Sequence, residues 1–304
     1  MRIASLLPSA TEIVCALGLA DRLVLRSHEC DFPPEVARLP HATQPKYEPD
    51  GTSYQIDERI RGILQEGLSV YRVDADRLRE AAPDVIVTQH QCEVCAVSAR
   101  EIEAAACALL HPEPRIVSLA PSGLQELLHD MERVGRELEV PERGVELKAQ
   151  LRNRMEEVAA RVAGPPTPRV VTIEWLEPLM VAGNWMPELV KLAGGQNLLG
   201  SPGEHSPFVT WETIRALRPE VIVVLPCGFS ISRIREELDL LRSRPGWSDL
   251  PAVARGRVAV ADGHHFFNRP GPRIVESLEI LAEILHPDRV AVRHQGEGWE
   301  WMEA

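Results

Sequence analysis

The chain has 304 residues, enough for two cores of roughly 100–150 residues each. Its apolar fraction of 44% and charged fraction of 26% are those of an ordinary globular protein, and no run of about 18 apolar residues is present to span a bilayer. A net charge of −12 argues against a nucleic-acid partner, because affinity for a phosphate backbone comes from clustered Lys and Arg.

The first predicted element is the strand Ile3 to Leu7. No charged n-region, long apolar h-region or small-residue cleavage site stands before it, so the expected compartment is the cytoplasm and the six cysteines are expected mostly as thiols. Ser9 and Thr11-Glu12 offer cap residues for a first helix over Thr11 to Leu17, which Gly18 stops. A strand over Leu23 to Leu25, helices over Asp57 to Ile63 and Val73 to Ala82, and strands over Val85 to Thr88 and Arg115 to Leu119 complete an alternation typical of a parallel α/β sheet.

From Ser122 the apolar residues take helical spacing: Leu124, Leu127, Leu128, Met131 and Val134, then Leu147, Leu151 and Val158 after Pro141. This predicts a long helical connection, punctuated by Gly164-Pro165-Pro166-Thr167-Pro168. A second α/β series follows, with strands over Val170 to Ile173, Val221 to Leu225 and Arg257 to Ala261. Its helices fall near Met186 to Ala193, Trp211 to Leu217, Ile231 to Leu241 and Pro272 to Leu285. The expected organisation is an α/β lobe over 1–121, a helical connection and linker over 122–164, a second α/β lobe over 165–290, and a tail over 291–304 that is surface-packed or partly disordered. The lobes share a plan, for Ala81-Ala82-Pro83-Asp84-Val85-Ile86-Val87 is echoed by Leu217-Arg218-Pro219-Glu220-Val221-Ile222-Val223.

Ser5-Leu6-Leu7-Pro8-Ser9-Ala10-Thr11-Glu12, Asp31-Phe32-Pro33-Pro34, the two echoed units and Leu192-Ala193-Gly194-Gly195-Gln196-Asn197 together resemble the substrate-binding proteins of vitamin B12 and iron-chelate ABC importers, most of all the B12-binding branch. The resemblance runs from about Arg2 to Leu285 and implies two α/β lobes with parallel sheets, joined by one long helix, in the manner of class III periplasmic binding proteins. It implies a non-catalytic protein that holds a corrinoid such as cobalamin, or a related metal chelate, in a cleft between lobes. It also implies two surface glutamates that dock an ABC permease, and Glu58 and Glu212 fall on the matching positions. The competing reading of both is a first-turn acid stabilised by the helix dipole. The sequence departs from the family in having no export signal and in placing His and Cys where B12-binding relatives mostly use aromatic residues. This suggests a cytoplasmic offshoot, with an exported importer subunit as an alternative.

Ligands of open α/β lobes sit outside the carboxyl ends of the strands. The candidate ligand residues on those loops are Ser9, His28, Gln89, Trp175, Trp185, His205, Phe208, His264, His265, Phe266, Phe267 and Arg269. A neutral imidazole of His265 or His205 could ligate cobalt while Phe rings pack on the corrin, and tryptophans offer flat area at small entropic cost. Cys30, Cys92, Cys95 and Cys227 lie on the same loops. Cys92 and Cys95, spaced Cys-x-x-Cys beside His90, with Cys30 and His28, form the alternative: a zinc or iron–sulfur centre with a redox or enzymatic role. Cys15 and Cys107 read as core residues. No GxSxG, HExxH, Walker or correctly placed GxGxxG motif is present, so catalysis is not expected.

Overall fold

The computed structural model describes residues 1–65, 70–89 and 113–302 and divides into two compact units. The first comprises Met1–Gly51, Gln55–Pro121 and Gln125–Gln150; the second comprises Thr52–Tyr54, Ser122–Leu124 and Leu151–Ala304.

In the first unit, strands β1 (Ile3–Ser5), β2 (Leu23–Arg26), β5 (Val85–Gln89) and β6 (Arg115–Leu119) form a parallel sheet in the order β2-β1-β5-β6. β1 and β5 are buried throughout, in keeping with the apolar runs Ile3-Ala4 and Val85-Ile86-Val87 that open them, whereas edge strand β6 alternates. Helix α1 (Pro8–Ala16) follows β1 directly, with Pro8 in its first turn where a missing N–H costs nothing. Between β2 and β5 lie β3 (Thr43–Pro45), α2 (Ser53–Gln65), β4 (Tyr71–Val73) and α3 (Ala75–Ala81), with β3 and β4 paired antiparallel. Val73, expected as the first residue of a helix, is therefore in a strand; α3 starts two residues later because the Asp74 side chain caps it, accepting the Arg77 N–H at 3.0 Å.

The long helical stretch is two helices, α4 (Leu124–Glu137) and α5 (Pro141–Val162), separated where Glu139 takes a φ of +64° and Pro141 opens a new first turn. They pack closely at two glycines: a β-carbon on Gly135 would lie 2.7 Å from Gly144 Cα, and one on Gly144 would lie 2.9 Å from Met131 O. Gly144→Ala should therefore destabilise the first unit by about 1–3 kcal/mol through overpacking of backbone that has no side chain to move aside. A thermal melt in which Gly144→Ala unfolds no earlier than the parent would contradict this packing.

The second unit is built on β7 (Arg169–Trp175), with β8 (Met180–Val181), α6 (Met186–Leu192), β9 (Gln196–Asn197), α7 (Trp211–Leu217), β10 (Val221–Val224), the short helices α8 (Ile231–Arg235), α9 (Asp239–Arg242) and α10 (Pro251–Ala254), β11 (Val258–Ala261), α11 (Ile274–Leu285) and β12 (Trp299–Trp301). Its sheet runs β12-β11-β10-β7-β8, with β9 also on β7; β7, β10 and β11 are mutually parallel. The C-terminal segment is not the structureless tail expected from its lack of period. Trp299 is buried, and β12 pairs antiparallel with β11 in the register Ala261↔Trp299. Three residues are too few to show a period in sequence.

The sequence echo has a physical meaning. Ala82 and Arg218 both adopt left-handed φ, 38° and 47°, ending α3 and α7 just before a proline that disfavours the helical conformation. The next acid in each unit then pairs with the residue entering the first strand of its own sheet. Asp84 accepts the Arg2 N–H at 2.6 Å and returns its own N–H to Arg2 O at 2.9 Å. Glu220 does the same with Arg169, at 3.1 and 2.9 Å.

Candidate ligand-binding site

In the first unit the connections leave β1 on opposite sides, so the sheet's switch point lies at the carboxyl ends of β1 and β5. Ser9 and Gln89 sit at these ends and both are buried. At the end of β2, the His28 backbone N–H donates to Thr43 Oγ1 at 3.0 Å, and its ring Nδ1 is 2.7 Å from the same oxygen. The ring tilts against Tyr71 at 5.4 Å, and Tyr71 O–H donates to Glu29 at 3.2 Å. Burial pushes the His28 pKa down to about 4, with His41 and Arg26 adding to the effect, so the imidazole is neutral at physiological pH.

Cys30 was expected as a metal ligand, but it is 1% exposed with Sγ 3.0 Å from Thr11 Oγ1, and burial raises its pKa against the hydrogen bonds that favour the thiolate. A buried, protonated thiol is the wrong donor for zinc or an iron–sulfur cluster. Cys227 is exposed on the second unit and is in no disulfide. Among the described residues no cysteine stands in a group of three or more His, Cys, Asp or Glu side chains able to hold an ion. His90, Cys92, Cys95 and Cys107 lie outside the described residues. Glu58 is exposed but lies in the second turn of α2, because that helix begins at Ser53 and not at Asp57; the helix-dipole reading therefore does not apply to it. Glu212 is exposed in the first turn of α7, behind the Thr210 cap, where that reading does apply.

In the second unit the loop after β11 turns on Asp262, a residue the sequence reading passed over. Its Oδ1 accepts the N–H groups of His264 and His265 at 2.8 and 2.7 Å, and its Oδ2 lies 3.1 Å from His265 Nδ1. Burial pushes the Asp262 carboxyl upward, but the His265 and His264 hydrogen bonds outweigh it and hold the pKa below the ordinary value. Asn268 Nδ2 donates to Leu225 O and Gly263 O, tying the loop to the end of β10. Gly263 must be glycine, since a β-carbon there would run into the backbone of Leu225 and Pro226. The buried Arg269 directs Nη2 at His264 Nε2, 3.3 Å away.

The aromatic candidates separate into two groups. Trp175 packs on Phe229 at 5.1 Å at the end of β7, Phe266 is half-buried under Arg273, and Phe208 is 57% exposed. Phe267 and Trp185 are corrected: Phe267 is fully buried at a φ of +60°, and the Trp185 indole N–H donates to Phe267 O at 2.8 Å. They brace the loop from beneath; sequence marked both as aromatic without saying which way each points. His205 is exposed with Nδ1 3.1 Å from Ser206 O. Beside it, Ser206 Oγ lies 3.0 Å from both Glu174 carboxyl oxygens and accepts the Gly183 N–H at 2.9 Å. Neither Glu174 nor Ser206 was singled out, because polar residues on loops carry no pattern until the fold brings them together.

Two open, mainly parallel α/β units, with a 22-residue helix that contributes to both and with aromatic and imidazole groups on strand carboxyl edges, define the class III binding-protein architecture. The chain belongs to the periplasmic binding protein family, whose model matches residues 3–264. It is 25% identical over 297 residues to the vitamin B12-binding protein of Yersinia pestis, covering 96% of this chain and 90% of that one. Among solved structures it is similar to a periplasmic heme-binding protein of Pseudomonas aeruginosa, with a TM-score of 0.73, 20% identity, and coverage of 100% and 98%. It is also similar to the periplasmic vitamin B12-binding protein BtuF of Vibrio cholerae, with a TM-score of 0.67, 22% identity, and coverage of 94% and 96%. The cytoplasmic assignment is thereby corrected, since the family and these solved relatives are periplasmic. The premise that a reducing compartment keeps the cysteines as thiols goes with it. The zinc or iron–sulfur alternative gains no support, as these relatives are named for vitamin B12 and heme.

Proposed function

We propose that this chain is a non-catalytic substrate-binding protein for a corrinoid, serving an ABC importer. The observation that carries the reading is the end-to-end match to a vitamin B12-binding protein, at 96% and 90% coverage. The second unit supports it chemically. Half-buried Trp175 and Phe266 and exposed Phe208 supply apolar area for a macrocycle, and His264 and His265 stand on a loop fixed to the sheet. His265 and His205 are the candidate cobalt ligands, with Ser9, His28 and Gln89 the corresponding polar groups of the first unit. Exposed Glu58 and Glu212 are the proposed permease contacts.

Titration of the purified protein with hydroxocobalamin should give a saturable change in the corrinoid absorption at micromolar concentration, diminished in His265→Ala or His205→Ala. Hemin serves as the competitor. Saturation by hemin with no response to hydroxocobalamin would replace the corrinoid by heme, and silence toward both would reject a metal macrocycle altogether.

A further inference from the structure

The C-terminal segment reaches the β11 loop through one short chain of hydrogen bonds. Gly298 O accepts the Asp262 N–H at 2.9 Å, and Asp262 Oδ1 in turn accepts the N–H groups of His264 and His265 at 2.8 and 2.7 Å. Gly298 is set in place by His294, whose carbonyl accepts the Gly298 and Glu297 N–H groups at 2.8 and 3.2 Å. The seat is tight, since a β-carbon on Gly298 would lie 2.7 Å from Ile280 Cδ1 of α11. Over 291–299 every residue except His294, Gly298 and Trp299 is exposed, so three residues hold the segment down. A stretch held by so few buried groups can open locally while the sheet beneath it stays folded.

His294 acts as the clasp. Its N–H donates to Glu283 Oε2 at 3.1 Å, its ring Nδ1 is 2.7 Å from Glu283 Oε1, and its Nε2 is 3.7 Å from Glu279 Oε2. α11 thus turns Glu276, Glu279 and Glu283 toward the ring. From α5, Arg154 pairs with Glu276 and Glu279 at 3.1 and 2.9 Å, and Arg161 lines the same groove with Arg293 of the segment itself. Arg154 offsets Glu276 and Glu279, which leaves Glu283 as the principal partner of a charge on His294. The Glu283 hydrogen bond accordingly outweighs burial and raises the imidazole pKa.

We propose that residues 294–298 form a strap that positions the ligand loop over 262–268, and that proton loss from His294 loosens the strap and speeds ligand release. The proposal rests on the corrinoid reading for the identity of the ligand and adds how that site is regulated. When the strap opens, His294 leaves Glu283 and returns to an ordinary imidazole, so the closed strap holds the proton more tightly than the open one. Closure is therefore favoured fully below the ordinary value of 6.5, and opening grows as pH rises through the raised value. A neutral ring can still donate its Nδ1–H to Glu283, so the strap is loosened and not lost.

Hydrogen exchange of the full chain without ligand tests the strap. Once corrected for intrinsic exchange, the opening constants at the Asp262 and Gly298 amides should agree with each other and exceed that at Val223 of β10. They should rise several-fold between about pH 6 and about pH 9 in the parent and not in His294→Gln. Bound hydroxocobalamin, chased with excess cyanocobalamin in a stopped-flow experiment, should leave faster over the same range. That acceleration should be several-fold larger in the parent than in His294→Gln, a comparison that cancels titration within the ligand loop itself. Circular dichroism checks that the variant is folded; if it is not, Glu283→Gln, which removes the charge that His294 meets, takes its place with the same expectation. Asp262 opening as rare as that of Val223, or equally pH-dependent in parent and variant, overturns the strap, and so does release with the same pH dependence in both. Absence of saturable hydroxocobalamin binding at either pH overturns the corrinoid reading, while hydrogen exchange, which needs no ligand, still decides the strap.

Discussion

Glu283→Ala is expected to destabilise the second unit by about 3–5 kcal/mol, the usual result of breaking a buried charge pair from one side. Glu283 lies on α11 and is 2% exposed. It accepts the Arg293 N–H at 2.9 Å, the His294 N–H at 3.1 Å, His294 Nδ1 at 2.7 Å and the Trp299 indole N–H at 2.8 Å. One carboxylate thus organises the segment that leads into β12. Its removal leaves several donors buried without an acceptor, each costing about 1–3 kcal/mol if the segment stays in place. The segment should instead release, with a fall in Tm of about 10 °C and loss of hydrogen-exchange protection at the β12 amides and at Asp262, whose N–H is held by Gly298 O. Protection at β12 equal to that of the parent would show that the strand docks without Glu283.

The same cluster should give stability a pH dependence on both sides. The Glu283 hydrogen bond raises the His294 pKa above 6.5 against the opposing effect of burial, so the charged His294 stabilises fully below 6.5, and this is lost as pH rises through the raised value. Burial raises the Glu283 pKa, but the His294 and Trp299 hydrogen bonds outweigh it and lower the value below 4.5. Its contribution is present above 4.5 and disappears as pH falls through the lowered value. The pair therefore contributes most between about 4.5 and 6.5. Replacing His294 with Gln should flatten the alkaline limb of the Tm profile.

Phe267→Ala should cost about 3–5 kcal/mol, the range for emptying a buried aromatic site, and should also weaken ligand binding. Phe267 is fully buried, its N–H donates to Ser277 Oγ at 2.9 Å, and its carbonyl receives the Trp185 indole. The residue also holds a φ of +60°, a conformation costing roughly 1–2 kcal/mol for an L side chain. Phe267→Gly removes that strain along with the ring, so its loss should fall short of the alanine loss by about 1 kcal/mol, although glycine also adds freedom to the unfolded chain. Chemical denaturation of the two variants measures the difference. If Phe267→Ala were as stable as the parent and altered binding alone, the ring would be a ligand contact and not a brace.

Legibility in sequence follows the range of the forces involved. Val85-Ile86-Val87 and Val221-Ile222-Val223 read as buried strands because central parallel strands are apolar on both faces, and the Pro-acid pair before each marks the helix stop. The start of α2 at Ser53, the β3–β4 pair and strand β12 were missed, since each is decided by partners far along the chain. The His264-His265 loop was recognised from composition, but its ordering residue was not. Asp262 is one of many acids after a strand until β12 closes over β11 and the loop folds back on the carboxylate.

By itself, the sequence determined the α/β class, the order of the principal strands and the family, because these rest on local periodicity and on short motifs in a fixed order. The tertiary structure decided which side chains on the carboxyl edges face inward. It made Phe267 and Trp185 braces and Cys30 a buried thiol. Burial and hydrogen-bond partnership depend on what lies opposite a residue, and for this loop that is a helix and a strand contributed by the last 31 residues described, 272–302.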